Sequence, residues 1–184
     1  MQPSFKDLTN FFIDIGANDV AHTEKTYLAH AIGVYNDLKK WGFDEDFARI
    51  GLFHSIYGTE LFQGFTLSLD HRDQIKGLIG EHAEYLAYLN CCMDRASFDA
   101  QVVNRQAPYT IIDRFTGLPL ALSQEIFDDL VSVHLCDWLE QVERWGNWDY
   151  RRDAFANMAE RLGGIGATSY AAVFAREPKE EQQI

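Results

Sequence analysis

The chain has 184 residues, 47% hydrophobic and 14% aromatic, which is enough for one well-cored domain and thin for two. Acidic residues outnumber basic ones 28 to 16, for a formal charge of −12 with histidine neutral. That balance excludes the basic stripe that nucleic acid requires and argues equally against docking on an anionic membrane.

The first residues, Met1 to Leu8, lack the apolar run of a signal peptide, and no stretch approaches the roughly 18 apolar residues of a membrane span. Cys91 and Cys92 are adjacent and Cys136 stands alone. Three thiols without a CxxC pair exclude a zinc ribbon or a disulfide framework. They read instead as small core residues of a reduced, cytoplasmic protein.

Helical periodicity dominates. Phe5 to Ile15 forms a first amphipathic segment. Thr23 is the expected N-cap of the next helix, with Thr26 at the third position leaving the capping box incomplete. Tyr27, Ala31, Val34, Leu38 and Trp41 share one face until Gly42 stops the run. Asp44 caps a third helix carrying Phe47, Ile50, Gly51 and His54. Asp70 opens a fourth segment, whose stripe continues through Leu78, His82, Tyr85, Leu86 and Leu89.

Between Pro108 and Ser123 the pattern changes. Tyr109 to Ile112 and Leu118 to Leu122 flank Phe115-Thr116-Gly117, predicting a small β-hairpin near 109–122 with Pro119 at an edge. Ser123 caps a long helix to about Trp145, with Phe127, Leu130, Val131, His134 and Trp138 inward. Two further pieces, Arg151 to Leu162 and Ala167 to Ala175, flank the glycine-rich break at 163–166. The expected architecture is an all-α bundle with one hairpin, a single domain over 1–175 and a flexible polar tail over 176–184.

His30, His54, His82 and His134 fall on apolar faces. If the two helices around Gly42-Phe43 pair antiparallel, His30 and His54 both lie about 15 Å from the turn, given a rise of about 1.5 Å per residue. Equal height on facing stripes is what a shared ligand or proton network needs. Asp137 stands three residues after His134 in a strongly apolar run, with Glu140 beyond it, so its carboxylate must be paired or metal-bound. Arg144 is one candidate partner. Otherwise His30, His54 and Asp137 would make a three-ligand site with open positions. Trp138, Trp145 and Trp148 read as packing rather than as a substrate cage.

His30 followed by Gly-Val, then Trp41-Gly42 and Gly51-Leu52-Phe53-His54, resembles the first half of the HD-domain superfamily. The block from Gly51 to Glu60 is more closely similar to the signature of an uncharacterised HD-like family. His22-Thr23, Thr26 to His30, Leu78 to Glu81, Asp94-Arg95 and Trp138 to Gln141 fit it too. The resemblance implies an HD-like helical fold with His30, His54 and Asp137 as metal ligands. Ser55 stands where the superfamily carries the aspartate that bridges two ions, so one divalent ion of the Fe, Mn or Zn class is expected.

The leading expectation is a small-molecule hydrolase assisted by that ion. His22 or Glu60 would move the proton, and Arg95 or Arg114 would neutralise a phosphate or carboxylate. Oxygen activation at a non-haem iron site is a close relative. A metal-independent lyase, isomerase or cyclase would use the same histidines with Tyr57 and Glu60 for acid–base work, and His82 is a further catalytic candidate. The remaining alternative is a non-catalytic ligand-binding protein on the same scaffold. The expected partner is a small molecule, with no nucleic acid or membrane, and assembly as a homodimer stays open.

Overall fold

The computed structural model describes residues 3–17, 19–22 and 24–179. Helix α1 (Phe5–Asp14) starts from a reciprocal capping box between Ser4 and Asp7 and buries Leu8 and Phe12. The expected cap Thr23 lies outside the described residues. The next helix begins later than expected, at α2 (Tyr27–Lys40), with the Thr26 hydroxyl accepting from the Ala29 amide. The preceding segment forms a minimal antiparallel pair, β1 (Ala21–His22) and β2 (Lys25–Thr26), turning through Glu24 at φ 60°. Tertiary packing decides this, because the His22 ring stacks on His30 with centroids 4.3 Å apart.

Helix α3 (Glu45–Phe53) is capped by Asp44 and folds back on α2 through Gly42, whose φ of +96° suits glycine alone. The two backbones come close where a Cβ at Gly51 would stand 2.5 Å from the Tyr35 amide nitrogen. Only glycine permits that approach, and it sets the two helices in register.

A 3-10 turn (Leu69–His71) leads into α4 (Arg72–Ile79), and Gly80 at φ +90° separates it from α5 (Glu81–Cys92). The sequence suggests one continuous stripe here. The break resets the helical phase, so His82 is exposed rather than on the apolar face, and α5 buries Ala83, Leu86, Ala87 and Leu89. Helix α6 (Arg95–Val102), capped by Asp94, has no counterpart in the sequence reading.

The predicted hairpin is present as β3 (Tyr109–Ile112) and β4 (Pro119–Leu122), with Pro119 opposite Ile112 nearest the turn. Ser123 caps α7 (Gln124–Trp145), the longest helix, which ends at left-handed Gly146. It passes through the middle of the molecule, and Leu130 to Leu139 are all buried. Helices α8 (Arg152–Leu162) and α9 (Gly164–Phe174) follow. The break between them is confined to Gly163, and Gly164 to Gly166 join α9 instead of preceding it. Of the expected tail, Arg176 pairs with Glu143, and residues 180–184 lie outside the described set.

The architecture is therefore mostly helical, with two small antiparallel sheets among the described residues. No described helix is long and apolar enough to cross a membrane. Cys91, Cys92 and Cys136 are buried free thiols, as expected of core residues, and burial pushes all three above their ordinary pKa.

Candidate metal centre

Three elements converge on one point. His30 lies in the first turn of α2, His54 caps the C-terminus of α3, and Asp137 sits midway along α7. The antiparallel α2–α3 hairpin puts both imidazoles at the same level, as the equal-height argument requires. His30 Nε2 is 3.3 Å from His54 Nε2 and 3.0 Å from Asp137 Oδ1, and His54 Nε2 is 3.3 Å from the same oxygen. All three residues are buried.

The spacing fits a metal ion. Bonds of about 2.1 Å at angles between about 90° and 110° place ligand atoms about 3.0 to 3.4 Å apart, which matches the edges of this triangle. The tautomers fit as well. His54 Nδ1 donates to the Gly51 carbonyl at 2.8 Å, and His30 Nδ1 donates to Glu140 Oε2 at 2.5 Å. Each ring thereby keeps its Nε2 for the centre, in the manner of histidine ligands held by a hydrogen bond on the far nitrogen. Among the described residues this is the group of histidine and acidic side chains spaced to hold a metal ion.

The electrostatics express the same convergence. Burial opposes a charged His30, yet its hydrogen bonds to Asp137 and Glu140 outweigh that and raise its pKa to about 9. Burial likewise pushes Asp137 upward, but the His54 charge and the bonds from both rings hold it well below the ordinary carboxylate range. Glu140, buried but bonded to His30, Arg144 and Lys25, falls to about 2. Two anions thus face a site that attracts a proton or a cation.

Beside the triangle opens a cavity of about 240 Å3. His54 and Asp137 line it, together with His22, Ser55, Thr59, Phe62, Arg95, Gln141 and Trp145. Burial and the neighbouring His30 depress His22 to about 4, so its ring is neutral at physiological pH. The Ser55 hydroxyl is engaged with the Tyr27 hydroxyl at 3.2 Å and supplies no fourth ligand. Gln141 donates to Asp137 Oδ1 at 2.9 Å, fixing the carboxylate from its own helix.

The other predicted residues divide. Arg95 lines the cavity, its guanidinium bonded to the Tyr150 hydroxyl at 2.5 Å. Arg114 does not line it and donates to the carbonyls of Cys91 and Gly58, tying α5 to the loop after α3. Tyr57 donates to buried Glu84, which Arg72 also holds, and its phenol is pushed up by burial and by that carboxylate. Glu60 accepts from the Arg95 backbone amide at 2.8 Å and so caps α6 from outside the cavity. His82 pairs with Asp129 on the surface at 3.1 Å.

Arg144 pairs with Glu140 and not with the candidate Asp137, and Trp145 packs edge-on against Trp138 and Tyr150 as expected while also lining the cavity. Gln141, Thr59, Phe62 and the role of Glu140 go unassigned in the sequence. Glu140 was legible in principle, because it stands three residues after Asp137 on the same helical face.

A family model described as "Domain of unknown function (DUF6817)" matches residues 11–95, from α1 to the start of α6. The chain is similar to that family over the stretch holding His22, His30 and His54, while Asp137 and Glu140 lie beyond the match. Comparison with curated proteins and with solved structures gives no match.

Proposed function

We propose that the protein is a hydrolase of small molecules, assisted by one divalent metal ion held by His30, His54 and Asp137, on the HD-like scaffold its sequence resembles. The observation that carries this reading is the 3.0–3.3 Å triangle of two imidazole nitrogens and a carboxylate oxygen, two of whose residues, His54 and Asp137, line a cavity. An ion of the Fe, Mn or Zn class bound there acidifies water and polarises a substrate oxygen.

The chain's own residues supply the rest. Neutral His22, in the cavity wall, takes the proton that the attacking water gives up and returns it to the leaving group. Arg95 presents a guanidinium to an anionic part of the substrate. Among the described residues its guanidinium is bonded to the Tyr150 hydroxyl and makes no salt bridge, Glu60 meeting only the Arg95 backbone amide. Phe62 and Trp145 cover apolar parts of the ligand and limit access of bulk water.

The test is metal analysis of the purified protein, followed by turnover of p-nitrophenyl phosphate and p-nitrophenyl acetate with and without chelator. The reading expects about one bound equivalent and chelator-sensitive release of nitrophenolate. Metal far below one equivalent, with no gain in Tm on adding Mn2+, Fe2+ or Zn2+, sinks it. The two-histidine, one-carboxylate donor set favours a second reading, oxygen activation at ferrous iron. Substrate-dependent oxygen uptake that Zn2+ abolishes would select that reading over hydrolysis.

A further inference from the structure

We propose that Glu140 is a positioning residue of this centre, acting through His30, and that residue 33 is glycine so that the Glu140 carboxylate can reach that ring. The inference rests on the reading of His30, His54 and Asp137 as metal ligands.

Gly33 lies within α2, one turn beyond His30, and its backbone is outside the left-handed region that calls for glycine. A helix interior disfavours glycine, so a reason must lie elsewhere. It lies in the side chain facing it. A Cβ at residue 33 would overlap Glu140 Oε1 and stand 2.7 Å from its Cδ and 2.9 Å from its Cγ. The glutamate side chain crosses the bare backbone of α2 at the point where any Cβ would force it to move.

The crossing has a defined end. Glu140 Oε2 accepts from His30 Nδ1 at 2.5 Å and from Arg144 at 2.6 Å, and Oε1 accepts from Lys25 at 2.8 Å. With Nδ1 committed to the carboxylate, His30 Nε2 faces Asp137 and His54. A carboxylate behind a ligand histidine fixes its tautomer and raises its basicity. Lys25 belongs to β2, so the same carboxylate also pins the hairpin that lays His22 across His30.

Full-length wild type, Gly33→Ala, Glu140→Gln and the double variant are to be compared by competitive Zn2+ titration against a chelator, with circular dichroism as the fold control. Each single variant should bind Zn2+ about 10- to 100-fold more weakly. Adding Glu140→Gln to Gly33→Ala should then cost little more, because the carboxylate is already displaced. Glu140→Gln keeps the side-chain volume and serves if Gly33→Ala does not fold.

A metal-free readout separates this inference from the metal reading. Ring-directed 1H–15N NMR should show a protected Nδ1 proton on His30 in wild type that shifts or is lost in both single variants. If wild type binds no Zn2+, the metal reading fails and the spectra still decide the positioning. Variants that bind Zn2+ like wild type, or an unaltered His30 spectrum, overturn the proposal.

Discussion

His30 and His134 are both fully buried, both at the α7 core, and chemically opposite. His134 Nδ1 donates to Asn90 Oδ1 at 3.1 Å, and its Nε2 accepts from Arg151 at 2.9 Å. Asn90 passes the chain on to the His54 carbonyl, and Arg151 is anchored by Asp99. Every polar atom of that ring has a fixed protein partner of the complementary kind. His30 has a single fixed partner only at Nδ1, and its Nε2 meets two acceptors at once, a carboxylate oxygen and another imidazole nitrogen, which it can satisfy only by taking up a proton or sharing a cation. Burial alone does not distinguish a structural histidine from a ligand; the complementarity of its partners does. Acceptors that converge in a buried place are costly unless a proton or a cation joins them.

The largest effect should come from removing one convergent group. Asp137→Asn keeps the shape and removes the charge, and metal affinity should drop by more than about a hundredfold, since loss of an outer partner alone costs about 10- to 100-fold. His134→Ala should do the reverse. It leaves Asn90 and Arg151 short of a partner, which should cost about 1–3 kcal/mol of stability in urea unfolding, with metal stoichiometry retained. Equal metal loss in both variants would erase the distinction between the two rings.

The same contrast predicts opposite pH behaviour. Burial and the Arg151 charge hold His134 well below its ordinary pKa, so the folded state keeps it neutral. Its contribution is therefore present above about pH 6.5 and is lost as pH falls below that value, where the unfolded chain binds the proton. His30 is raised to about 9 in the metal-free protein. Its contribution is complete below about pH 6.5 and is lost as pH rises through about 9. Metal-free protein should thus lose Tm between pH 6.5 and 9.5, and Zn2+-loaded protein should not, because its His30 would hold the ion at Nε2 as a neutral ring and keep only the Nδ1 proton bound to Glu140. His134→Gln should flatten the acid side alone. A metal-free Tm unchanged across the alkaline window would contradict the pairing described for His30.

The sequence made some of this legible and hid the rest for identifiable reasons. The His30–His54 match was readable because a short antiparallel hairpin converts residue spacing into height, and helical rise is nearly constant. Asp137 was readable because an acid in so apolar a run needs a counter-charge. The late start of α2 was not, since the hairpin from Ala21 to Thr26 depends on His22 stacking against His30. Gly33 shows the same limit. It looks like a weak helix position until α7 is laid across α2 and Glu140 occupies the missing side chain's place. Periodicity also misled where a glycine intervened, because Gly80 resets the phase between Leu78 and His82.

His82 completes the comparison as a histidine of a third kind, and it should give the smallest effect. Its partner Asp129 is 3.1 Å away, and the His82 side chain is 51% exposed, so water competes for both groups. Burial raises Asp129 and the His82 pair lowers it, with burial the larger influence. Exposed pairs contribute at most about 1 kcal/mol, and many contribute nothing measurable. His82→Ala should therefore change stability by less than about 0.5 kcal/mol in urea unfolding. Zn2+ affinity should not move, because α5 presents this residue to a surface hollow between Asp44 and Asp129 rather than to the cavity beside His54. A fall in Zn2+ affinity of tenfold or more would mean that this surface is coupled to the centre through α5, whose Asn90 bonds the His54 carbonyl and His134 together.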